Sequence, residues 1–140
     1  MKILLAVDGS EYTRKMLDYV VRHPTLFDPS HEYVVFTATL ALPAHASSVV
    51  GSRTVREHHE EESAKVLTPA MDALAQSGLR VATAWRAGSA GETIADYATE
   101  GGFDLLLMGS HGHGALGRLV MGSVANRVLS HCGVPVLLIR

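Results

Sequence analysis

Apolar and amphipathic segments alternate along the whole chain. Short runs rich in aliphatic and β-branched residues predict five strands, at 3–7, 33–42, 79–87, 105–108 and 134–139. Apolar residues at helical spacing predict four helices, over 10–22, 54–77, 89–100 and 123–132. Residues 43–53 are small and polar, which favours a loop. Because strands and helices alternate, we expect an α/β fold with a parallel sheet and helices on both of its faces.

Capping signals support the predicted helix starts. Ser10 favours an N-cap for the first helix, and Ser123 favours one for the last. Ser89, with Glu92 three residues on, has the spacing of a capping box. The predicted starts therefore carry a polar side chain that can satisfy free backbone N–H groups.

The longest predicted helix, 54–77, contains two unusual features. Pro69 lies inside it and is expected to produce a kink. His58 and His59 lie among glutamates, which predicts a solvated face. The apolar stripe is expected to comprise Val66, Leu67, Met71, Leu74 and Ala75.

The bulk composition is that of an ordinary globular domain. The chain has 140 residues, of which 47% are hydrophobic and 19% charged, and its formal net charge is −2. This charge gives no electrostatic support to general nucleic-acid binding, so we expect no nucleic-acid partner. The single cysteine, Cys132, excludes an internal disulfide, and no apolar run approaches the length of a membrane span. We therefore expect one domain over residues 1–140, in a cytoplasmic protein without a membrane partner.

Three segments with candidate chemistry follow predicted strands. Asp8 follows the first strand, residues 38–42 close the second, and residues 109–112 follow the fourth. Open parallel sheets bind ligands beyond the carboxyl ends of their strands, where the strand order reverses. If the first and fourth strands are neighbours, Asp8 faces the glycine-rich segment.

The glycine-rich segment GSHGHGALGRLVMGS, residues 109–123, allows three interpretations: a mobile loop, a metal site on its histidines, or an anion cradle. Glycines let backbone N–H groups approach a phosphate and tolerate positive φ. Gly122 and Ser123 add a helix N-terminus and a hydroxyl, while Met108 and Ala6 offer apolar walls for a flat base. Glycine content alone favours the loop and the cradle about equally.

The spacing of this segment resembles the ATP-binding signature of the universal stress protein family. Gly109, Gly112, Gly122 and Ser123 satisfy each fixed position of G-x2-G-x9-G-[S/T]. The resemblance extends to KILLAVDGSE at 2–11, FDLLLMGSHGHG at 103–114 and VLSHCGVPVLLIR at 128–140.

The resemblance implies a Rossmann-like, three-layer α/β/α domain like that of adenine nucleotide alpha hydrolases. Its five parallel strands would have the order 3-2-1-4-5. Adenine is expected near Ala6, Asp8 and Ala38, with Asp8 also near a Mg²⁺ ion that accompanies ATP. The family commonly dimerises, and Pro135 near the start of the apolar segment 134–139 suits an edge strand available for pairing. The ribose and phosphates are expected against Gly109, Ser110, His111, Gly112, Gly122, Ser123 and Val124.

Several side chains keep a second interpretation. Asp8 can instead cap the turn after the first strand. His111 is expected to contact nucleotide through its backbone, and His113 is expected to be an exposed loop residue because no third metal ligand is evident. Arg118 is equally compatible with phosphate binding and with solvent exposure. Cys132 is expected to be a buried, inert thiol.

The favoured function is a regulatory stress-response protein that binds ATP with Mg²⁺, with at most slow hydrolysis. ATP would order the segment between Gly112 and Gly122 and alter a surface that an unidentified protein partner contacts. The alternative is a nucleotide-independent dimeric interaction module, which Ala125 favours because some nucleotide-binding relatives have a hydroxyl there. A third hypothesis, an enzyme acting at an α-phosphate, lacks the expected SGG-type loop after the first strand. No nucleophile, base and orienting group are evident together.

Overall fold

The computed structural model of the chain describes residues 1–114 and 120–140. Its strands are β1 (Lys2–Ala6), β2 (Glu32–Thr39), β3 (Val81–Ala87), β4 (Leu105–Gly109) and β5 (Val136–Ile139). Its helices are α1 (Glu11–Arg22), α2 (Ala44–Val50), α3 (Ser52–Ala75), α4 (Ala90–Glu100) and α5 (Ser123–His131). The strands form one parallel sheet in the order β3-β2-β1-β4-β5, which confirms the predicted fold and strand order.

The two faces of the sheet have separate hydrophobic cores. In β1, Ile3 and Leu5 face the core formed with α1 and α3, whereas Leu4 and Ala6 face the core formed with α4 and α5. This division follows from the two-residue side-chain period of a strand. Burial on both faces explains why β1 is continuously apolar.

Helix α1 begins as predicted. The Ser10 Oγ accepts a hydrogen bond from the Thr13 N–H at 3.4 Å and caps the helix. Met16, Leu17 and Val20 then bury one face of α1 against the sheet. Capping and periodicity agree here, so the prediction from sequence is confirmed.

The prediction of a loop over 43–53 is wrong, because α2 occupies most of it, and β2 ends at Thr39 rather than at residue 42. No residue of α2 is buried, so this helix has no apolar stripe that a sequence pattern can indicate. The hydroxyls of Ser47 and Ser48 donate to the carbonyls three residues earlier, at 2.9 and 3.0 Å. Those residues favoured a loop in the sequence, but their side chains bond within the helix instead.

The predicted solvated face at His58 and His59 is half wrong. His58 is exposed, but His59 is buried, with its Nδ1 3.0 Å from the Thr39 Oγ1 and its ring 5.6 Å from that of Trp85. Of the predicted stripe, Met71 and Ala75 are exposed and Val66 is half-buried, and the predicted kink at Pro69 stays a prediction. The buried residues of α3 are His59, Ser63, Leu67, Ala70 and Leu74. Because His59 and Ser63 are polar, the apolar pattern in the sequence does not mark the whole buried face.

Two of the predicted caps do not form. Ser89 is the N-cap of α4 but makes no side-chain cap hydrogen bond, and Glu92 instead pairs with Arg127 of α5. Gly122, not Ser123, is the N-cap of α5. The Glu92 side chain therefore forms an ion pair with another helix instead of the capping box with Ser89 that the spacing predicted.

Helix α5 buries Ala125 and Val128. The prediction that Cys132 is buried is wrong, because this side chain is only half-buried. Val124 is half-buried as well, and Leu129 is exposed. Within the described ranges, no helix is both long and apolar enough to cross a membrane.

Tyr33 gives a test of this packing at high pH. Its side chain is buried in β2 and its hydroxyl donates to the Asp28 carbonyl at 2.9 Å. Burial, with a smaller contribution from the Asp28 charge, raises the pKa of Tyr33 to about 12. The protonated Tyr33 hydroxyl therefore stabilises the folded state fully below about pH 10. This contribution to the free energy of unfolding is lost as pH rises from about 10 to 12, because the unfolded chain loses its proton first.

We expect ultraviolet titration of the native protein to show one of the four tyrosines ionising near pH 12, and the Tyr33→Phe variant to lack that step. Denatured protein should show all four ionising near pH 10. A native titration with a single step near pH 10 would contradict the burial of this hydroxyl.

Candidate functional site

A cavity of 320 Å³ lies at the carboxyl ends of β1 and β4. Ligand pockets usually have volumes of about 300–1,000 Å³. All of the predicted binding residues except Ser110 line it: Ala6, Asp8, Ala38, Met108, Gly109, His111, Gly112, Gly122, Ser123 and Val124. These residues lie on β1, β2, β4 and α5 or in the segments directly after β1 and β4 and before α5, so the cavity depends on the topology of the sheet.

The parallel pairing of β1 with β4 brings Asp8 to the glycine-rich segment, as predicted. Ala6 is the register partner of Met108, so both strands end at the same level. The two segments that follow these strands leave the sheet side by side, and the Asp8 Oδ2 lies 2.8 Å from where a Cβ on Gly112 would be. Strand order reverses between β1 and β4, because β1 leads through α1 to β2 on its other side.

Asp8 caps the turn after β1 and also lines the cavity, so its two predicted interpretations are compatible. Its Oδ1 accepts hydrogen bonds from the Ser10 N–H at 2.9 Å and from the Thr13 hydroxyl at 2.8 Å. The Asp8 N–H donates to the Thr13 Oγ1 at 3.0 Å. One carboxylate oxygen thus holds the turn, and Oδ2 remains at the cavity.

The signature glycines serve close packing, and none of those described adopts positive φ. A Cβ at Gly109 would lie 2.5 Å from the Tyr12 Cβ, so glycine lets α1 approach β4. A Cβ at Gly112 would lie 2.8 Å from the Asp8 Oδ2. A Cβ at Gly122 would lie 3.1 Å from both the Ser110 carbonyl oxygen and the His111 Cα. Absence of a side chain, rather than backbone conformation, is the property that these sites require.

Ser110 connects three elements through its backbone. Its N–H donates to the Ile139 carbonyl of β5 at 2.8 Å, and its carbonyl accepts from the Gly122 N–H at 2.8 Å. Ser110 is buried and its Oγ lies 2.9 Å from the His111 Nδ1. Because the Ser110 and Gly122 amides have partners, the free N–H groups at this end of α5 are those of its first turn.

The two histidines differ in their surroundings. His113 is exposed, but it is not an unattached loop residue, since its Nε2 donates to the Asp8 carbonyl at 2.7 Å. His111 is half-buried, and its ring lies 5.0 Å from the Tyr12 ring. Among residues 1–114 and 120–140, no group of three or more His, Cys, Asp or Glu side chains is arranged to hold a metal ion. The predicted contact of Arg118, and most of the segment predicted to move between Gly112 and Gly122, lie outside the described residues.

The cavity has a further wall that sequence reasoning missed. Thr13 of α1 and Ile94 of α4 line it, and only the tertiary structure brings these helices to the cavity and α4 beside α5. A Cβ at Gly91 would lie 2.5 Å from the Arg127 Cβ, so glycine permits the close contact of these helices. The Arg127 guanidinium, hydrogen-bonded to Glu92, lowers the pKa of that carboxyl from its ordinary value. The lining residues that were not predicted are Val7, Thr13, Ala90, Ile94, His113, Gly114 and Ala125.

Comparison with known proteins gives consistent matches over the full chain. A family model described as the universal stress protein family matches residues 1–140. The universal stress protein YxiE of Bacillus subtilis is 29% identical, over 99% of this chain and 98% of that protein.

Solved structures show the same fold. UspA from Lactobacillus plantarum superposes with a TM-score of 0.73 at 24% identity, over 100% of this chain and 97% of that one. A universal stress protein from Archaeoglobus fulgidus in complex with dAMP has a TM-score of 0.71 at 18% identity, over 100% and 98% of the two chains. An Arabidopsis thaliana family protein with AMP bound has a TM-score of 0.68 at 14% identity, over 99% and 90%.

The packing role of Gly109 can be tested without any ligand. We expect Gly109→Ala to lower the free energy of unfolding by about 1–3 kcal/mol, because the new methyl group overlaps Tyr12. Denaturant unfolding followed by circular dichroism measures the change. Gly133→Ala is the matched control, since a Cβ there meets nothing within 4 Å, and its effect should stay below about 1 kcal/mol. Equal effects of the two substitutions would contradict the steric argument.

Proposed function

Because the chain belongs to the universal stress protein family, we propose that it is a regulatory stress-response protein that binds ATP with Mg²⁺ in the cavity between β1 and β4. The observation that carries the proposal is the convergence of Asp8, the signature glycines and the first turn of α5 on one cavity. The dAMP and AMP complexes of two relatives with this fold support an adenine nucleotide as the ligand.

The adenine would lie against the apolar part of the lining. Ala6 and Met108 are buried and Ala38 is half-buried, and none of them has a polar side chain that a flat base would leave unpaired. Ile94 of α4 adds an apolar surface on the helical side. Most of the free energy of base binding would come from removing apolar surface from water.

The phosphates would lie at the N-terminus of α5. The first-turn amides of Ser123, Val124 and Ala125 have no acceptor within the helix, and the helix dipole is positive at this end. The Ser123 side chain is exposed beside them and can donate its hydroxyl. Gly122 packs directly against the backbone of residues 110–111, with no side chain between, so the start of α5 lies beside the cavity residues His111 and Gly112.

Mg²⁺ fits the donors at this site. It is commonly held by one or two carboxylates together with phosphates and water, and Asp8 offers one carboxylate oxygen at the cavity. The ion would neutralise phosphate charge that a single helix N-terminus does not balance. We propose that it binds together with the nucleotide.

The arrangement supports a nucleotide holder rather than a fast hydrolase. Ser110 and His111 are in hydrogen-bond contact, but the Ser110 hydroxyl is buried and does not line the cavity. We infer that this hydroxyl does not act as a nucleophile toward a bound phosphate. We propose that occupancy changes a surface that a protein partner contacts, and that any hydrolysis is slow.

We also propose that the chain is a single domain that forms a homodimer through residues 134–139. All five strands share one sheet, which supports one domain. Strand β5 is at an edge, and its four residues, all apolar, are only half-buried. An apolar edge strand of this kind is protected by pairing with another copy.

Titration calorimetry tests nucleotide binding. We expect the wild-type protein to bind ATP with Mg²⁺ with a dissociation constant at or below about 1 mM. Gly122→Val should weaken ATP binding at least tenfold, because its side chain overlaps residues 110–111 and displaces the first turn of α5. Gly133→Ala is the control and should bind as the wild type does. No heat at millimolar ATP, together with no effect of Gly122→Val, would overturn the proposal.

The dimer is tested by measuring mass in solution. We expect light scattering to give twice the chain mass of 15.0 kDa at micromolar concentration. Hydrogen exchange at the edge amides of β5 should accelerate on dilution, whereas that of β1, at the centre of the sheet, should not. A mass of 15.0 kDa at every concentration would contradict the dimer.

A further inference from the structure

The two oxygens of the Asp8 carboxylate have different surroundings. Oδ1 accepts two hydrogen bonds, from the Ser10 N–H at 2.9 Å and the Thr13 hydroxyl at 2.8 Å. Oδ2 receives no hydrogen bond from residues 1–114 or 120–140. It lies next to Gly112, where an added Cβ would be only 2.8 Å away. Oδ1 therefore holds the turn after β1, while Oδ2 lies at the cavity beside Gly112.

The hydroxyl of Thr13 has a defined direction. Its oxygen already accepts the Asp8 N–H at 3.0 Å, so its own hydrogen is available for the Asp8 Oδ1. Thr13 is buried in the first turn of α1, and its N–H donates to the Ser10 cap at 3.4 Å. This closed set of bonds resists rotation of the Asp8 side chain.

We propose that Thr13 is a positioning residue for the metal that accompanies the nucleotide. By occupying Oδ1, it restricts Asp8 to a single-oxygen contact through Oδ2, a contact suited to Mg²⁺. The inference rests on the proposed function and deepens it.

The cation preference follows from coordination geometry. Mg²⁺ requires six ligands near octahedral positions and keeps waters and phosphates around one carboxylate oxygen. Ca²⁺ takes more oxygens and often uses both oxygens of one carboxylate. A carboxylate whose Oδ1 already accepts two hydrogen bonds can offer one oxygen to Mg²⁺, but it cannot offer both oxygens to Ca²⁺.

The experiment compares ATP affinity without metal and with saturating Mg²⁺ or Ca²⁺, by calorimetry. The measured quantity is the gain, defined as the ratio of the metal-free to the metal-saturated dissociation constant. For the wild type we expect the gain to be larger with Mg²⁺ than with Ca²⁺. Thr13→Val keeps the shape of the side chain and removes the hydroxyl. Its Mg²⁺ gain should be about tenfold smaller than that of the wild type. If the wild-type gain is below about tenfold, the gain of the variant should fall to one, which means that Mg²⁺ no longer improves ATP binding.

Two controls separate positioning from packing. Thr13→Ser retains the hydroxyl and should retain most of the Mg²⁺ gain, whereas a purely structural methyl group would make this variant resemble Thr13→Val. Because each gain is a ratio of two dissociation constants of the same variant, a change in metal-free affinity caused by the substitution itself does not alter the comparison. Asp8→Asn preserves an oxygen for the Ser10 and Thr13 bonds but replaces Oδ2 with a nitrogen that cannot bind a cation, and it should lose most of the gain.

The possible results distinguish a failure of the Thr13 inference from a failure of the proposed ATP-binding function. Absence of ATP binding by the wild type would overturn both. ATP binding with equal gains from Mg²⁺ and Ca²⁺, a measurement that needs no variant, would overturn the inference alone. So would a folded Thr13→Val protein with the wild-type Mg²⁺ gain, or an Asp8→Asn protein that keeps it.

Discussion

The candidate site depends on the parallel pairing of β1 with β4. These strands are far apart in the chain, and their register brings Ala6 level with Met108. The turn after β1 and the segment after β4 therefore leave the sheet side by side, with Asp8 against Gly112. Burial on both faces keeps the pair in place, because Leu5 and Leu107 face one core while Leu4 and Leu106 face the other. A register shift by one residue would exchange these faces and separate the two halves of the site.

Close packing explains the signature glycines better than backbone flexibility does. Gly109 accommodates α1 through Tyr12, and Gly122 accommodates the backbone at 110–111. The same principle operates outside the signature, where Gly91 lets α5 approach α4. A glycine pattern can thus indicate a binding site because it marks where elements converge, even when the glycine itself contacts no ligand. This also explains why a bare count of glycines did not separate a loop from a cradle.

Sequence patterns predicted the elements that carry an apolar run or a helical period and failed where a contact comes from elsewhere in the fold. Strands β1, β2 and β4 follow from their apolar runs and α1 from its helical period, because burial selects apolar side chains there. Strands β3 and β5 have no fully buried residue and follow from their aliphatic and β-branched composition. Helix α2 has no buried residue and so left no pattern. Glu92 has the local spacing of a cap but pairs with Arg127, 35 positions away. The positions of the cavity residues were accessible through the resemblance, whereas the wall contributed by Thr13 and Ile94 required the tertiary structure.

The Asp8 side chain both holds the turn after β1 and lines the candidate cavity. A carboxylate has about four lone-pair positions, and the turn uses two of them on Oδ1. The remaining oxygen faces the cavity, and its direction is determined by the bonds made by the first. The His113 ring adds a second connection, because its Nε2 donates to the Asp8 carbonyl and joins the segment after β4 to the turn after β1. The hydrogen bonds that hold the turn also orient Oδ2, so a change that loosens the start of α1 would also change the direction of this oxygen at the cavity.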